Sequence, residues 1–202
     1  MNSVVEFEKL IGSYYNAPYA IAVDCCTHAL ELCLRRNKRF IPNEPDYTIL
    51  DCPNRTYISV PMTYEKLNLE WTFTNREWKD YYYLGNTNII DAAVYWKPNG
   101  YIPGTMMCLS FQYKKHLNVG RGGMILLDNI DEYNILRKMR YDGRDDDRPW
   151  AEQDISTIGY HYYMTPETAQ LGIERFHEAI DTMPRQWSSN DYPDLTKMSV
   201  FR

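Results

Sequence analysis

The stretch SFQYKKHLNVGRGG, residues 110–123, separates two apolar runs of the sequence. One run, residues 106–111, leads into it, and the other, residues 124–127, follows it. Short apolar runs bounded by polar and glycine positions are typical of buried strands. The pattern therefore predicts a strand, a polar loop with two lysines, a glycine turn and a second strand. It places an amine at the end of a strand, where open α/β sheets bind their ligands.

The amino-acid composition limits the classes of protein to which the chain can belong. The chain has 202 residues, of which 44% are hydrophobic and 24% charged, and these values predict one globular domain with a single core. The net charge is -5 with acids and bases interspersed, which disfavours a nucleic-acid or anionic-membrane partner. We expect a soluble cytoplasmic protein without a bound metal, since no apolar run could span a membrane and the five cysteines lack paired metal-ligand spacing.

The N-terminal segment predicts an anion-binding turn. Apolar residues at helical spacing predict a helix over residues 3–15, followed by a buried strand over 19–23 and a helix over 28–36. The polar turn between strand and helix would present free backbone N–H groups and about half a positive charge to an anion. Taken alone, Thr27 in this turn is an ordinary helix N-cap.

The rest of the chain alternates strands and helices. We predict strands at residues 47–50, 69–73 and 88–91 and a helix over 131–140. Thr165 and Pro166 predict the start of a further helix. Residues 181–202 show no period. We therefore interpret residues 1–180 as one compact domain and residues 181–202 as a tail.

The lysine loop resembles a known cofactor segment. Ser110, a lysine five residues later, a Gly-x-Gly-Gly turn and a strand that ends in an aspartate are similar to the cofactor-lysine segment of DegT/DnrJ-type sugar aminotransferases. These are fold-type-I enzymes that depend on pyridoxal 5'-phosphate (PLP). The resemblance implies that Lys115 forms the Schiff base with PLP and that Ser110 lies at the cofactor.

The segment FEKLIGSYYNAPYAIAVDCCTHALELCLR, residues 7–35, resembles the opening segment of the same family. There a Ser-Ser-Gly-Thr turn holds the PLP phosphate. Thr27 matches the threonine of that turn and Cys25 stands at the second serine, whereas Cys26 replaces the glycine. The resemblance implies that these three residues bind the cofactor phosphate.

Three further matches occur in the order that the family has. Tyr57 falls on the aromatic residue that stacks on the pyridine ring of PLP. Asp91, in an Asp-Ala-Ala motif, falls on the carboxylate that pairs with the pyridine nitrogen and keeps it protonated. Residues 159–166 resemble a loop that reaches the partner subunit's cofactor phosphate, with His161 in place of an asparagine. This loop implies a homodimer with shared sites.

Together these matches imply an α/β protein with a reduced fold-type-I large domain, whose sheet is mainly parallel and flanked by helices. They also imply a PLP-dependent aminotransferase that acts on a keto sugar carried on a nucleotide, with a glutamate-like amino donor. Residues 62–87 lack a match, and Val94 stands where the family carries His or Gln. The family's C-terminal small domain has no counterpart in the 202 residues.

Three alternatives remain. The chain could be a non-catalytic or PLP-binding remnant that serves as a binding or dimerisation module. A sugar dehydratase, in which histidine replaces the lysine, ranks lower because Lys115 is retained beside His116. A nucleotide-binding domain without PLP is weakly supported, since the glycine cluster at residues 120–123 precedes a predicted strand rather than a helix.

Overall fold

A computed structural model describes residues 3–37 and 49–202 of the chain. Its helices are α1 (Ser3–Tyr15), α2 (Cys26–Arg36), α3 (Ser59–Lys66), α4 (Ile130–Met139) and α5 (Pro166–Asp181). Its strands are β1 (Tyr19–Val23), β2 (Leu50–Pro53), β3 (Trp71–Thr74), β4 (Tyr82–Tyr83), β5 (Ile89–Asp91), β6 (Met106–Ser110) and β7 (Gly123–Leu127). None of the helices in these two ranges combines the length and the apolar character that a membrane span requires.

Five strands form one sheet in the order β1-β7-β6-β5-β4, and β2 and β3 form a separate parallel pair. The predicted α/β class is confirmed. The prediction of a mainly parallel sheet is wrong for the five-stranded sheet, in which β5 and β6 are parallel and the other three pairings are antiparallel. The physical reason is clearest at β6 and β7. The loop of residues 111–122 joins them without a crossover helix, so β7 returns antiparallel to β6.

Helices cover both faces of this sheet. Alternate residues of β7 point to opposite faces, with Met124 and Leu126 in one hydrophobic cluster and Ile125 and Leu127 in the other. The first cluster contains the buried face of α1 and α5, and the second contains that of α2 and α4. The sheet is therefore buried on both sides, and a site can form only at its edges.

A buried ion pair joins three elements on one side of the core. Arg140, which follows α4, donates to the Glu8 carboxylate of α1 and to the Ala22 carbonyl of β1, the latter at 2.8 Å. The Ala22 amide in turn donates to Glu8 Oε1 at 2.8 Å. Arg140 also pairs with the Asp146 carboxylate at 2.8 Å. Because Glu8 and Arg140 are both buried, removing Arg140 would leave the Glu8 carboxylate without a cation.

The predicted helix and strand positions largely agree with the structure. The helix over residues 3–15 and the strand over 19–23 are confirmed, and the helix predicted over 131–140 is α4, shifted by one residue. Residues 47 and 48 of the strand predicted at 47–50 lie outside the described residues, and β2 begins at its last residue, Leu50. The second helix begins at Cys26, two residues before the predicted start at residue 28. Thr165 is confirmed as an N-cap, since its hydroxyl accepts from the Thr168 amide at 3.3 Å.

Residues 182–202 pack back on the same body. The Asp80 amide donates to the Trp187 carbonyl at 2.9 Å, and the Leu195 amide donates to the Asn54 carbonyl at 2.8 Å. Leu195 itself is fully buried. The division into a domain of residues 1–180 and a tail stays a prediction, but the residues after α5 form part of the wall of the site described below.

Gly123, the first residue of β7, allows a close backbone contact with the start of α2. A Cβ atom at this position would lie 2.5 Å from both the Cys25 carbonyl carbon and the Cys26 amide nitrogen. Real Cβ atoms do not approach backbone atoms so closely, and neither partner is a flexible side-chain end. A side chain at residue 123 would therefore push α2 away from the sheet.

We expect Gly123→Ala to lower the free energy of unfolding by about 2–4 kcal/mol, because the added methyl group overpacks a backbone contact. Gly12→Ala is the matched control. It lies inside α1, and its Cβ would meet Ala17 O and Ala20 Cβ at an ordinary 3.5 Å. That variant should be neutral or more stable, since alanine favours a helix. Urea unfolding of both variants measures the difference. Equal stability of the two would contradict the close contact.

Candidate active site

A cavity of about 460 Å³ opens at one edge of the five-stranded sheet. Strands β1, β5 and β6 run in the same direction, because two successive antiparallel pairings relate β1 to β6. Their carboxyl ends therefore meet at this edge, although most neighbouring strands are antiparallel. The volume is within the range typical of small-molecule sites. Seven of the eight predicted site residues line the cavity: Cys25, Cys26, Thr27, Tyr57, Asp91, Ser110 and Lys115.

The N-terminus of α2 forms one end of the cavity. Cys25 is the N-cap with an extended backbone, and its side chain accepts no capping hydrogen bond. The first-turn amides have no partner within the helix, and they carry its partial positive charge. Thr27 Oγ1 and Ser59 Oγ, 2.8 Å apart, add two hydroxyls to the same wall. This end of the cavity is therefore suited to an anion such as a phosphate.

Cys26, which replaces the family's glycine, directs its sulfur into the core. Its thiol donates to the Cys108 carbonyl at 3.5 Å, and the residue is buried. Burial raises the pKa of this thiol well above its ordinary value, and the charge of Asp91 raises it further. The thiol therefore stays neutral. Because the Cys26 side chain points into the core, cysteine in place of glycine still leaves the backbone at the start of α2 next to the cavity.

Lys115, in the loop that follows β6, is half-buried and lines the cavity. Burial lowers the pKa of its ammonium group, while the opposite charge of Asp91 acts to raise it, and the net direction is down. Its Nζ atom lies 5.5 Å from the centre of the Trp187 ring. A lowered pKa increases the fraction of neutral amine, which is the form that attacks a carbonyl group. The neighbouring Lys114 is exposed, with Nζ over the Tyr113 ring.

Asp91 ends β5 and is only 6% exposed. Burial raises the pKa of its carboxyl group, and this effect exceeds the opposing hydrogen bonds from the Ala93 amide and the Tyr82 hydroxyl and the charge of Lys115. Those two hydrogen bonds measure 3.0 and 2.8 Å. A buried carboxylate of this kind is stabilised by a cation placed against it. A protonated ring nitrogen in the cavity would supply that charge.

Tyr57 and His161 are less enclosed. Tyr57 is 55% exposed and presents its ring at the cavity mouth. His161 does not line the cavity, because its side chain is 68% exposed and its Nδ1 donates to the Asp142 carboxylate at 3.0 Å. Its predicted role concerns the site of a second subunit, so that role stays a prediction.

Several lining residues were not predicted from the sequence. Trp187, Asp191 and Tyr192 come from the C-terminal segment, and Arg121 comes from the glycine turn. The C-terminal residues show no helical or strand periodicity in the sequence, so their position at the cavity is visible only in the folded chain. The Gly-x-Gly-Gly turn did mark the position of Arg121, whose guanidinium donates to the Asp24 carboxylate at 2.8 Å.

A second cavity of about 350 Å³ also borders Lys115. It shares Ala93, Ser110, Lys114, Lys115 and Trp187 with the first cavity. Its further lining includes Val94, His116 and Arg185, and among the described residues no aspartate or glutamate lines it. Lys115 thus borders both a cavity with an end suited to phosphate and this second cavity, the basic recess.

His28, in the first turn of α2, is held in one orientation. Its ring stacks on Tyr162 at 3.6 Å, and its Nδ1 donates to Asp24 Oδ1 at 2.6 Å. Burial lowers the pKa of His28, but hydrogen bonds with Asp24 and Cys25 outweigh that effect and raise the pKa from 6.5 to about 9. The imidazole is therefore cationic at neutral pH.

This shift predicts a pH dependence of stability. Because the folded-state pKa of about 9 exceeds the reference value of 6.5, His28 stabilises the fold fully below pH 6.5 and loses this effect as the pH rises through 9. After allowance for solvent screening we expect a loss of about 1–2 kcal/mol. Urea unfolding of the wild type and His28→Gln at pH 6 and pH 9.5 measures it. The difference between the two proteins should shrink at the higher pH, and a difference independent of pH would contradict the prediction.

Comparison with known proteins agrees with this geometry. Residues 93–189 match the model of the DegT/DnrJ/EryC1/StrS aminotransferase family. No curated protein sequence matches the chain. Several solved structures share its fold. AtS13 from Actinomadura melliaura is 18% identical, with a TM-score of 0.76 over 90% of this chain and 61% of that one.

Two further structures are similar to the same extent. The sugar aminotransferase CalS13 from Micromonospora echinospora is 16% identical, with a TM-score of 0.70 over 90% of this chain and 62% of that one. Spr1654 from Streptococcus pneumoniae, in its PLP form, is 17% identical, with a TM-score of 0.70 over 89% of this chain and 60% of that one. The chain thus spans about three fifths of the length of these structures. The match to the DegT/DnrJ/EryC1/StrS aminotransferase family model covers just under half of the chain, and the fold shared with these structures agrees with it, so the chain is similar to this family.

Proposed function

We propose that the cavity binds PLP and that the protein is an aminotransferase for a keto sugar carried on a nucleotide, with a glutamate-like amino donor. One observation carries the proposal: a half-buried lysine with a lowered pKa and a buried aspartate share one cavity with a helix N-terminus. The family match supports it, as does the fold shared with a structure solved in its PLP form.

The residues present fit the chemistry of this cofactor. The amides of α2 and the hydroxyls of Thr27 and Ser59 would hold the phosphate. Asp91 would pair with the ring nitrogen, and Tyr57 would lie against the ring. Lys115 would hold the aldehyde carbon through its Nζ atom. Each chemical group of the cofactor thus has a matching residue on the cavity wall.

Bound PLP supplies an electron sink for a carbanion at the carbon of the amino donor. Lys115 would act as the general base that removes a proton from that carbon and returns it to the cofactor side. Its lowered pKa favours the neutral form that this step requires. Asp91, through its negative charge, would keep the ring nitrogen protonated. Trp187 and Tyr192 would exclude water from the reacting atoms.

The basic recess beside Lys115 suits the anionic parts of the substrates. Lys114 and Arg185 line it, and Arg185 also pairs with the Asp191 carboxylate. Lys114 would meet a donor carboxylate or a nucleotide phosphate as a cation. The recess is lined by neither Cys25 nor Thr27, so a donor bound there would not displace the cofactor phosphate.

The alternative is a protein that binds PLP without turnover, or that serves as a binding or dimerisation module. Trp187 lies over Lys115, and Arg185 stacks on Trp187 at 4.0 Å, so the C-terminal segment closes one side of the cavity. Because a closed wall serves turnover as well as cofactor binding, it does not favour this alternative over the aminotransferase. The sugar dehydratase remains the weaker alternative, because Lys115 lines the cavity.

Visible absorption of the protein mixed with PLP tests the cofactor proposal. We expect an absorption band in the wild type and in Lys114→Ala, and its loss in Lys115→Ala, because Lys115 interacts with the charge of Asp91 and has the lowered pKa that favours a neutral amine. Lys114→Ala is the matched control, since it removes the neighbouring exposed amine. Addition of glutamate should then bleach the band. No band in any of the proteins would contradict PLP binding, whereas a band that glutamate leaves unchanged would favour the non-catalytic alternative.

We further propose a homodimer in which the loop of residues 159–166 reaches the partner's site through His161. The exposed imidazole of His161 supports this role, as it is free on one side to meet a second subunit. Sedimentation over a dilution series should show a dimer, and His161→Ala should weaken PLP binding without unfolding the chain. A strictly monomeric protein would contradict shared sites. The five free cysteines suit a reducing compartment such as the cytoplasm.

A further inference from the structure

Cys25 differs from the other four cysteines in its exposure. Cys26, Cys33, Cys52 and Cys108 are buried, whereas Cys25 is half-buried and lines the cavity. Burial also raises the pKa of the Cys26, Cys52 and Cys108 thiols, which keeps them protonated and unreactive. A reagent that enters the cavity therefore meets one sulfur atom first.

Three charged side chains surround this sulfur. One ligating atom each of Asp24, Cys25 and His28 lies within 4.8 Å of the other two. Arg121 Nη2 lies 4.0 Å from Cys25 Sγ and donates to Asp24 Oδ2 at 2.8 Å. Asp24 thus holds both cations, since it also accepts from His28 Nδ1. The cluster therefore places a nucleophilic sulfur beside two cationic side chains that share one carboxylate.

The orientation of His28 is fixed from two sides. Its ring lies parallel to Tyr162, with 10° between the planes, and Asp24 fixes its rotation about the ring axis. Its pKa of about 9 makes the ring a cation at neutral pH. A thiolate at Cys25 would then face this imidazolium, the Arg121 guanidinium and the N-terminus of α2. All three carry positive charge or partial charge, and such surroundings are found around reactive cysteines.

We propose that Cys25 is a nucleophilic thiol that reacts with hydroperoxides and other small electrophiles entering the cavity. With hydrogen peroxide, the thiolate sulfur attacks one peroxide oxygen, so an S–O bond forms and the O–O bond breaks. The sulfur is oxidised by two electrons to a sulfenic acid, and the peroxide is reduced. The departing hydroxide takes a proton from the His28 imidazolium and leaves as water. This reactivity goes beyond the proposed aminotransfer and does not depend on it.

Alkylation of the full-length native protein at pH 7, with and without prior treatment with a chelator, tests the proposal. Iodoacetamide forms an S–C bond and releases iodide, and peptide mass mapping gives the rate at each cysteine. We expect Cys25 to react at least about tenfold faster than each of the four buried cysteines and faster than glutathione in the same solution. After hydrogen peroxide, a sulfenic-acid trap should label Cys25.

Two variants test the role of the charges. His28→Gln and Arg121→Gln should each slow alkylation of Cys25 by about threefold to tenfold, because each removes a cation from the thiolate. Arg148→Gln is the matched control. Arg148 is 58% exposed and pairs with Asp145 at 2.8 Å, much as Arg121 is 68% exposed and pairs with Asp24 at 2.8 Å. This control should leave the rate unchanged. Because Arg121 is exposed, its replacement should not unfold the chain.

Three results would overturn the proposal. The first is a Cys25 rate no higher than that of glutathione. The second is a rate that is the same in the wild type, His28→Gln and Arg121→Gln. The third is labelling that appears only after the chelator, which would mean that Asp24, Cys25 and His28 bind a metal ion instead. Each result leaves the test of Lys115 with PLP unaffected.

Discussion

A half-buried lysine, Lys115, and a buried aspartate, Asp91, line one cavity, and each shifts the pKa of the other toward its charged form. Burial acts the opposite way on both groups, since it lowers the pKa of Lys115 and raises that of Asp91. The balance leaves an amine that deprotonates more readily than usual and a carboxyl group that needs a cation beside it. A ligand with an electrophilic carbon and a basic ring nitrogen meets both requirements at once. The remaining features of the site place or enclose such a ligand.

The sheet brings these groups together although its pairings are mostly antiparallel. Strands β1, β5 and β6 point the same way, so the turn into α2, Asp91 and the lysine loop leave the sheet at one edge. Gly123 then lets the start of α2 approach β7 closely enough for its first turn to face the lysine. The C-terminal segment closes the other side through Trp187 and Tyr192. Besides the sheet, the site therefore requires the close contact of Gly123 with the start of α2 and the C-terminal segment that packs against the cavity.

Much of this arrangement could be predicted from the sequence, because local patterns encode it. Helical spacing predicted α1, alternation of apolar and polar runs predicted β6 and the lysine loop, and the order of five motifs brought seven lining residues into one hypothesis. The direction of β7 could not be read from its residues, since apolar strands look alike in either orientation. The positions of Trp187 and Tyr192 could not be predicted either, because they depend on contacts with residues far away in the sequence, such as Asp80 and Trp78. The hydrogen bond from Tyr82 to Asp91 was missed for the same reason.

The central claim is that Lys115 and no other lysine holds the cofactor carbonyl. Borohydride reduction of the native protein mixed with stoichiometric PLP, followed by peptide mass mapping, tests it directly, because reduction makes the bond between lysine and cofactor permanent. The account predicts one pyridoxyl group per chain, on Lys115, and none on the adjacent and exposed Lys114. A label on Lys114, or one spread over surface lysines, would contradict it.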